Sequence, residues 1–199
     1  MKSGFAIQER ILIMKESRNI AVLFPGIGYT CDKPLLYYSE KLVREQGYEV
    51  VRVPYGDFPP NVKGDPVKMY QCFVSARQQA EDLLAGIDWA KYEDILFFSK
   101  SVGTAAALSY AAEHCLRARQ VLYTPLEETF RFPAAAEGTI VFHGTADPWA
   151  KTEEITRICE EKGLPLFLTK KANHSLECGK VSKDIKTIRE VMKTVEEFI

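Results

Sequence analysis

The stretch from Asp94 to Cys115, DILFFSKSVGTAAALSYAAEHC, decides the reading of this chain. Its apolar run, Ile95 to Phe98, is short, unbroken and rich in β-formers, as a strand buried on both faces must be. The alanine-rich residues after Gly103 have the propensity of a helix. Between them Ser99 to Gly103, SKSVG, leaves room only for a sharp turn. A strand feeding a helix in this way is the repeating unit of a parallel sheet.

The same unit recurs on either side. RNIAVLFPGIG, Arg18 to Gly28, is an apolar run stopped by Pro25 and two glycines, and reads as a buried strand with a tight loop. A helical pattern from Lys33 to Gln46 is closed by Gly47, and YEVVRVPYG then supplies a second strand ended by Pro54 and Gly56. Asp57 to Asp65 is a loop. Pro66 to Leu84 follows as a helix whose spacing is marked by Val67, Tyr70, Val74 and Leu83. Further strands are expected at Gln120 to Tyr123, Thr139 to His143 and Leu164 to Leu168, with helices at 151–162 and 183–199. FAIQERILIM, residues 5–14, reads as one or two additional edge strands. The fold class is therefore α/β: a doubly wound, mainly parallel sheet with helices on both faces, forming one domain over 1–199.

Bulk composition narrows the function. A chain of 199 residues, 46% apolar, is of the size to bury one continuous core. Its formal charge of -1 provides no field to gather nucleic acid or anionic lipid, so the expected partner is a small molecule. No apolar run is long enough to span a membrane. Glu9, Arg10, Lys15 and Glu16 stand where a signal peptide needs an apolar block, so a cytoplasmic protein is expected. The five cysteines are widely spaced, without a CxxC pair or metal-ligand spacing, and read as reduced thiols.

In a doubly wound sheet, reactive groups collect beyond the carboxyl ends of the strands. SKSVG resembles the G-x-S-x-G nucleophile elbow, with Ser99 in place of the first glycine and Ser101 as the nucleophile. On residues alone, the alternative is an ordinary strand-to-helix loop with a serine N-cap. The strand at Thr139 continues into FHGTADPWA, similar to the acid-bearing HGxxD segment of the α/β-hydrolase family, and TKKANHSLE resembles that family's histidine loop. The order Ser101, Asp147, His174, each just past an expected strand, is the order the family uses.

This resemblance covers essentially the whole chain and points to the small, lidless esterase and dienelactone-hydrolase-like branch of the α/β-hydrolase family. It implies Ser101 as nucleophile, His174 as base and Asp147 as the acid that orients the base. It also implies an oxyanion hole from the backbone N–H groups of Val102 and of Ile27, the latter in FPGIGYT, where Pro25 replaces the usual histidine. Glu127 and Glu128, just past the fourth strand, are the competing acids. His143 is assigned to loop structure, and His114 to a helix facing away. Cys31 and Cys178 lack an activating neighbour. An open site without a cap is expected, bordered by Tyr29, Lys100, Phe130, Phe132 and Trp149, with Lys100 either facing solvent or favouring an acidic substrate.

The implied activity is hydrolysis of a small carboxylic ester or thioester through an acyl-enzyme, needing neither metal nor organic cofactor. Two alternatives stay open. One is a catalytically silent scaffold of the same fold that binds a ligand or protein. The other is a flavodoxin-like phosphate binder using PGIG.

Overall fold

The computed structural model describes residues 18–199, so the strands expected within 5–14 lie outside the described residues. Six strands form one parallel sheet: β1 (Asn19–Phe24), β2 (Glu49–Arg52), β3 (Asp94–Lys100), β4 (Arg119–Tyr123), β5 (Thr139–Gly144) and β6 (Leu166–Thr169), in the order β2-β1-β3-β4-β5-β6. Five α-helices connect and flank them: α1 (Pro34–Glu45), α2 (Pro66–Leu84), α3 (Val102–Glu113), α4 (Thr152–Lys162) and α5 (Val181–Phe198).

Strand alternation divides the core into two layers. Ala21, Leu23, Leu96, Phe98, Val121, Tyr123 and Phe142 point to one face and pack with Leu35, Leu36 and Val43 of α1 and Val191, Met192 and Val195 of α5. Ile20, Val22, Phe24 and Phe97 point to the other, against Ala76, Ala80 and Leu84 of α2 and Ala106, Ala107 and Tyr110 of α3. Leu122 and Val141 extend that second layer toward Ile155 and Cys159 of α4. The helices therefore lie on both faces, as the alternation of strands and helices predicts.

Three local readings are adjusted. Val67, Tyr70, Val74 and Leu83 mark the length of α2 but sit on its exposed side. Its buried side is Cys72, Ala76, Ala80 and Leu84. Small side chains face α3, which itself presents Ala106 and Ala107, so the two backbones come close and larger groups are turned outward. β6 starts at Leu166 rather than Leu164. Gly163 adopts φ +65° and Leu164 N donates to Cys159 O at 2.8 Å, so Leu164 still belongs to the end of α4. α5 begins two residues early, at Val181.

Two features of this architecture position the site. The chain leaves β1 for β2 on one side and returns to β3 on the other, so the loops leaving the paired carboxyl ends of β1 and β3 meet at the point where the strand order reverses. The connection from β4 to β5 contains only short 3-10 segments, Glu127–Arg131 and Ala136–Gly138, and no helical cap. Among the described residues, no helix is long and apolar enough to cross a membrane.

Candidate active site

Ser101 stands between β3 and α3 with φ 56° and ψ -125°, a conformation that non-glycine residues rarely adopt and that needs close packing to hold it. That packing is visible. A Cβ on Gly103 would lie 2.4 Å from the carbonyl oxygens of both Phe24 and Pro25 and 2.7 Å from Tyr55 Oη, so only glycine allows α3 to start against the end of β1. Ser101 N donates to Tyr123 O at 3.1 Å, tying the turn to β4. The first position of the elbow tolerates serine because Ser99 is fully buried with its Oγ donating to Val121 O at 3.3 Å.

The other two ingredients arrive from the far half of the sheet. β5 ends in Gly144, where a Cβ would lie 2.4 Å from Ala172 O and 2.5 Å from Asn173 O, so the strand end and the histidine loop are in direct backbone contact. Asn173 Oδ1 accepts from Ser175 N at 2.8 Å and Glu177 N at 3.1 Å, winding the loop tightly around His174. Thr124 Oγ1, fully buried at the end of β4, donates to His174 O at 2.9 Å. The roles of Gly144 and Thr124 are not legible in the sequence, since their partners are 28 or more positions away and only folding brings them close.

The result is a continuous line of contacts. His174 Nε2 lies 2.8 Å from Ser101 Oγ, and His174 Nδ1 lies 2.7 Å from Asp147 Oδ2. Asp147 Oδ1 accepts from Trp149 N at 2.8 Å, and the Trp149 ring stacks on the imidazole with centroids 5.5 Å apart. The Asp147 side chain is completely buried, and that of His174 is 16% exposed. Burial opposes ionisation of Asp147, but His174, the Trp149 N–H and His143 together outweigh it and hold the carboxyl below its ordinary range. Burial pulls His174 below the ordinary imidazole value, against the raising effect of its bond to Asp147, and Lys100 lowers it further. Glu127 and Glu128 are exposed, and Glu127 Oε1 faces Lys151 N at 3.4 Å rather than the imidazole.

Two backbone donors complete the arrangement. Val102 opens α3, where the first N–H groups have no carbonyl within their own helix. Gly26 and Tyr29 exchange both backbone hydrogen bonds, at 3.0 and 3.2 Å, leaving Ile27 N–H at the tip outside the turn's own bonds. A Cβ on Gly26 would lie 3.1 Å from Ser101 Cβ, so this turn leans directly on the serine.

The bordering residues differ from expectation. Lys100 neither faces solvent nor edges an open surface: it is 1% exposed, with Nζ 5.1 Å from the Tyr29 ring centroid. Its position at the end of a central strand puts α1 and the Gly26 turn over it. Burial lowers its pKa to about 7, with Asp147 opposing. Tyr29 is also buried, its Oη accepting from Leu35 N at 3.0 Å, so it supports Lys100 from below instead of offering a surface. Phe130 is buried, whereas Phe132 and Trp149 are half-buried.

His143 is fully buried, its Nε2 3.2 Å from Thr152 Oγ1 and its Nδ1 3.8 Å from Asp147 Oδ2. His114 lies at the end of α3, against Glu81 and Tyr110. Burial pushes the Cys31 thiol up to about 11, and Cys178 Sγ meets only Lys170 O, at 3.6 Å. Among the described residues, no cluster of His, Cys, Asp and Glu could hold a metal ion.

A parallel sheet in this order, with the serine on a strained turn after a central strand and the acid and histidine beyond later strands, is the α/β-hydrolase fold. No protein-family model matches the sequence, and comparison with curated proteins gives no match. Solved structures do match. The chain is similar to a protein of unknown function from Agrobacterium tumefaciens described as an α/β hydrolase, at 16% identity and a TM-score of 0.63, covering 92% of this chain and 85% of that one. It is similar to a serine hydrolase without a lid from Xanthomonas campestris, at 15% identity and TM-score 0.51, over 89% and 82% of the two chains. A Bacillus cereus carboxylesterase matches at 18% identity and TM-score 0.52, over 86% and 88%. At such identities the likeness defines the fold.

Proposed function

We propose that this chain is a serine hydrolase that cleaves a small carboxylic ester or thioester through an acyl-enzyme. The observation that carries the reading is the single line of contacts from Ser101 Oγ through His174 to buried Asp147.

In this reading Ser101 Oγ attacks the substrate carbonyl carbon while His174 Nε2 takes its proton. Asp147 holds Nδ1 protonated and stabilises the imidazolium that forms. The lowered pKa of His174 keeps the ring neutral, and so able to accept, near pH 7. Charge that develops on the carbonyl oxygen is met by Val102 N–H and Ile27 N–H, each such donor being worth about 100-fold to 1000-fold in rate. The tetrahedral species collapses as His174 returns the proton to the leaving oxygen or sulfur, and the ester to Ser101 remains. Water then repeats the sequence, losing its proton to His174 and releasing the acid. All five cysteines are free thiols, in keeping with a reducing, cytoplasmic setting.

A fluorophosphonate probe tests this directly. Covalent labelling of the wild type together with none of Ser101→Ala supports the reading, whereas a folded wild type that is never labelled favours the silent scaffold.

A further inference from the structure

A cavity of about 250 Å³ lies beside the first turns of α3, between the start of α2 and the segment Glu127–Arg131. Its walls include Met69, Tyr70, Phe73, Val102, Ala105 and Phe132. Ser101 itself does not line the cavity, but Val102, the next residue, does: it is 1% exposed and packs among Ile27, Met69 and Phe73. The residue whose amide faces the developing oxyanion thus presents its side chain to the cavity. The far wall is aromatic, with Phe73 centred 5.4 Å from Phe132 and 6.2 Å from Tyr70.

Its polar members are poor anchors for a charged ligand. Thr129 Oγ1 is already bonded to Thr104 Oγ1 at 2.7 Å, and Glu128 and Arg131 are exposed, of opposite sign. A ligand held here is therefore apolar. Its direction follows from the proton path: His174 protonates the leaving group, which departs on the imidazole side, where Trp149 stacks. Neither His174 nor Trp149 lines the cavity.

We propose that this cavity receives the acyl portion of the substrate and selects an uncharged, apolar acyl group of medium length. The assignment rests on the serine-hydrolase reading. The volume holds about eight groups of methylene or water size, each taking roughly 30 Å³.

The test is a series of p-nitrophenyl esters from acetate to dodecanoate, with kcat/KM measured for the wild type, Ala105→Leu and Phe132→Ala. Burial of a methylene is worth about 0.8 kcal/mol, or roughly fourfold in kcat/KM. Wild-type values should climb toward hexanoate and octanoate and fall by dodecanoate. Ala105→Leu fills the cavity and should lower the octanoate-to-acetate ratio at least tenfold. Phe132→Ala lengthens it and should move the optimum to longer chains. These ratios are independent of the folded fraction. Ester turnover with the same chain-length profile in all three proteins, or a preference for a charged acyl group, overturns the cavity assignment and leaves the hydrolase reading standing. Absence of turnover on every ester, with no labelling of Ser101, removes both.

Discussion

Replacing Lys100 by methionine removes a charge from a buried position next to Ser101, the proposed nucleophile, while keeping most of the side-chain volume. A lysine whose pKa falls from 10.5 in the unfolded chain to about 7 in the fold binds its proton more tightly when unfolded. Its protonation therefore opposes folding in full below about pH 7, and the penalty fades as pH rises toward 10.5. A pKa lowered by one corresponds to about 1.4 kcal/mol, so the charged form costs the fold about 5 kcal/mol. Lys100→Met should thus be more stable than wild type at pH 7, with an advantage that shrinks by roughly 1 kcal/mol per pH unit between about 7.5 and 9.5.

Urea unfolding at several pH values measures this. The same variant reports on the imidazole, because the ammonium of Lys100 lowers the His174 pKa. On the proposed serine-hydrolase reading, activity needs neutral His174 and is lost as pH falls through its pKa. Without Lys100 that pKa rises, and the acidic limb of kcat/KM should move to higher pH. Parallel stability curves for the two proteins, with an unmoved acidic limb, would refute the electrostatic account of this residue.

Three further outcomes are expected. Asp147→Asn should lower kcat by about 10⁴-fold with the fold intact by circular dichroism, since an amide can neither fix the tautomer nor balance the imidazolium. Gly103→Ala places a carbon 2.4 Å from two carbonyl oxygens, and should lower stability by about 3 kcal/mol or prevent soluble expression, as a thermal melt will show. Thr124→Val removes the hydroxyl that holds His174 O, and should cost about 1 kcal/mol in urea unfolding, with kcat reduced more than KM is changed.

Sequence by itself determined the sheet class and the order of its elements. Short apolar runs such as Ile95 to Phe98, too brief for a helix and bounded by turn residues, read as buried strands, and the intervening helical patterns call for parallel crossovers. It also selected Ser101, Asp147 and His174 as candidates, because each sits just past a strand end, whereas the need for glycine at 103 comes from the distant Phe24 and Pro25 carbonyls. Tertiary structure decided what depends on contact between distant segments. Whether Asp147 or a glutamate meets the imidazole turns on Gly144 and Thr124 bringing β5, β4 and the histidine loop into register. The burial of Lys100, invisible in a motif where that position looks solvent-facing, results from α1 and the Gly26 turn closing over the central strands. The outward turn of Tyr70 on α2 has the same origin: periodicity states that a helix has two faces, and the neighbour it packs against decides which one is buried.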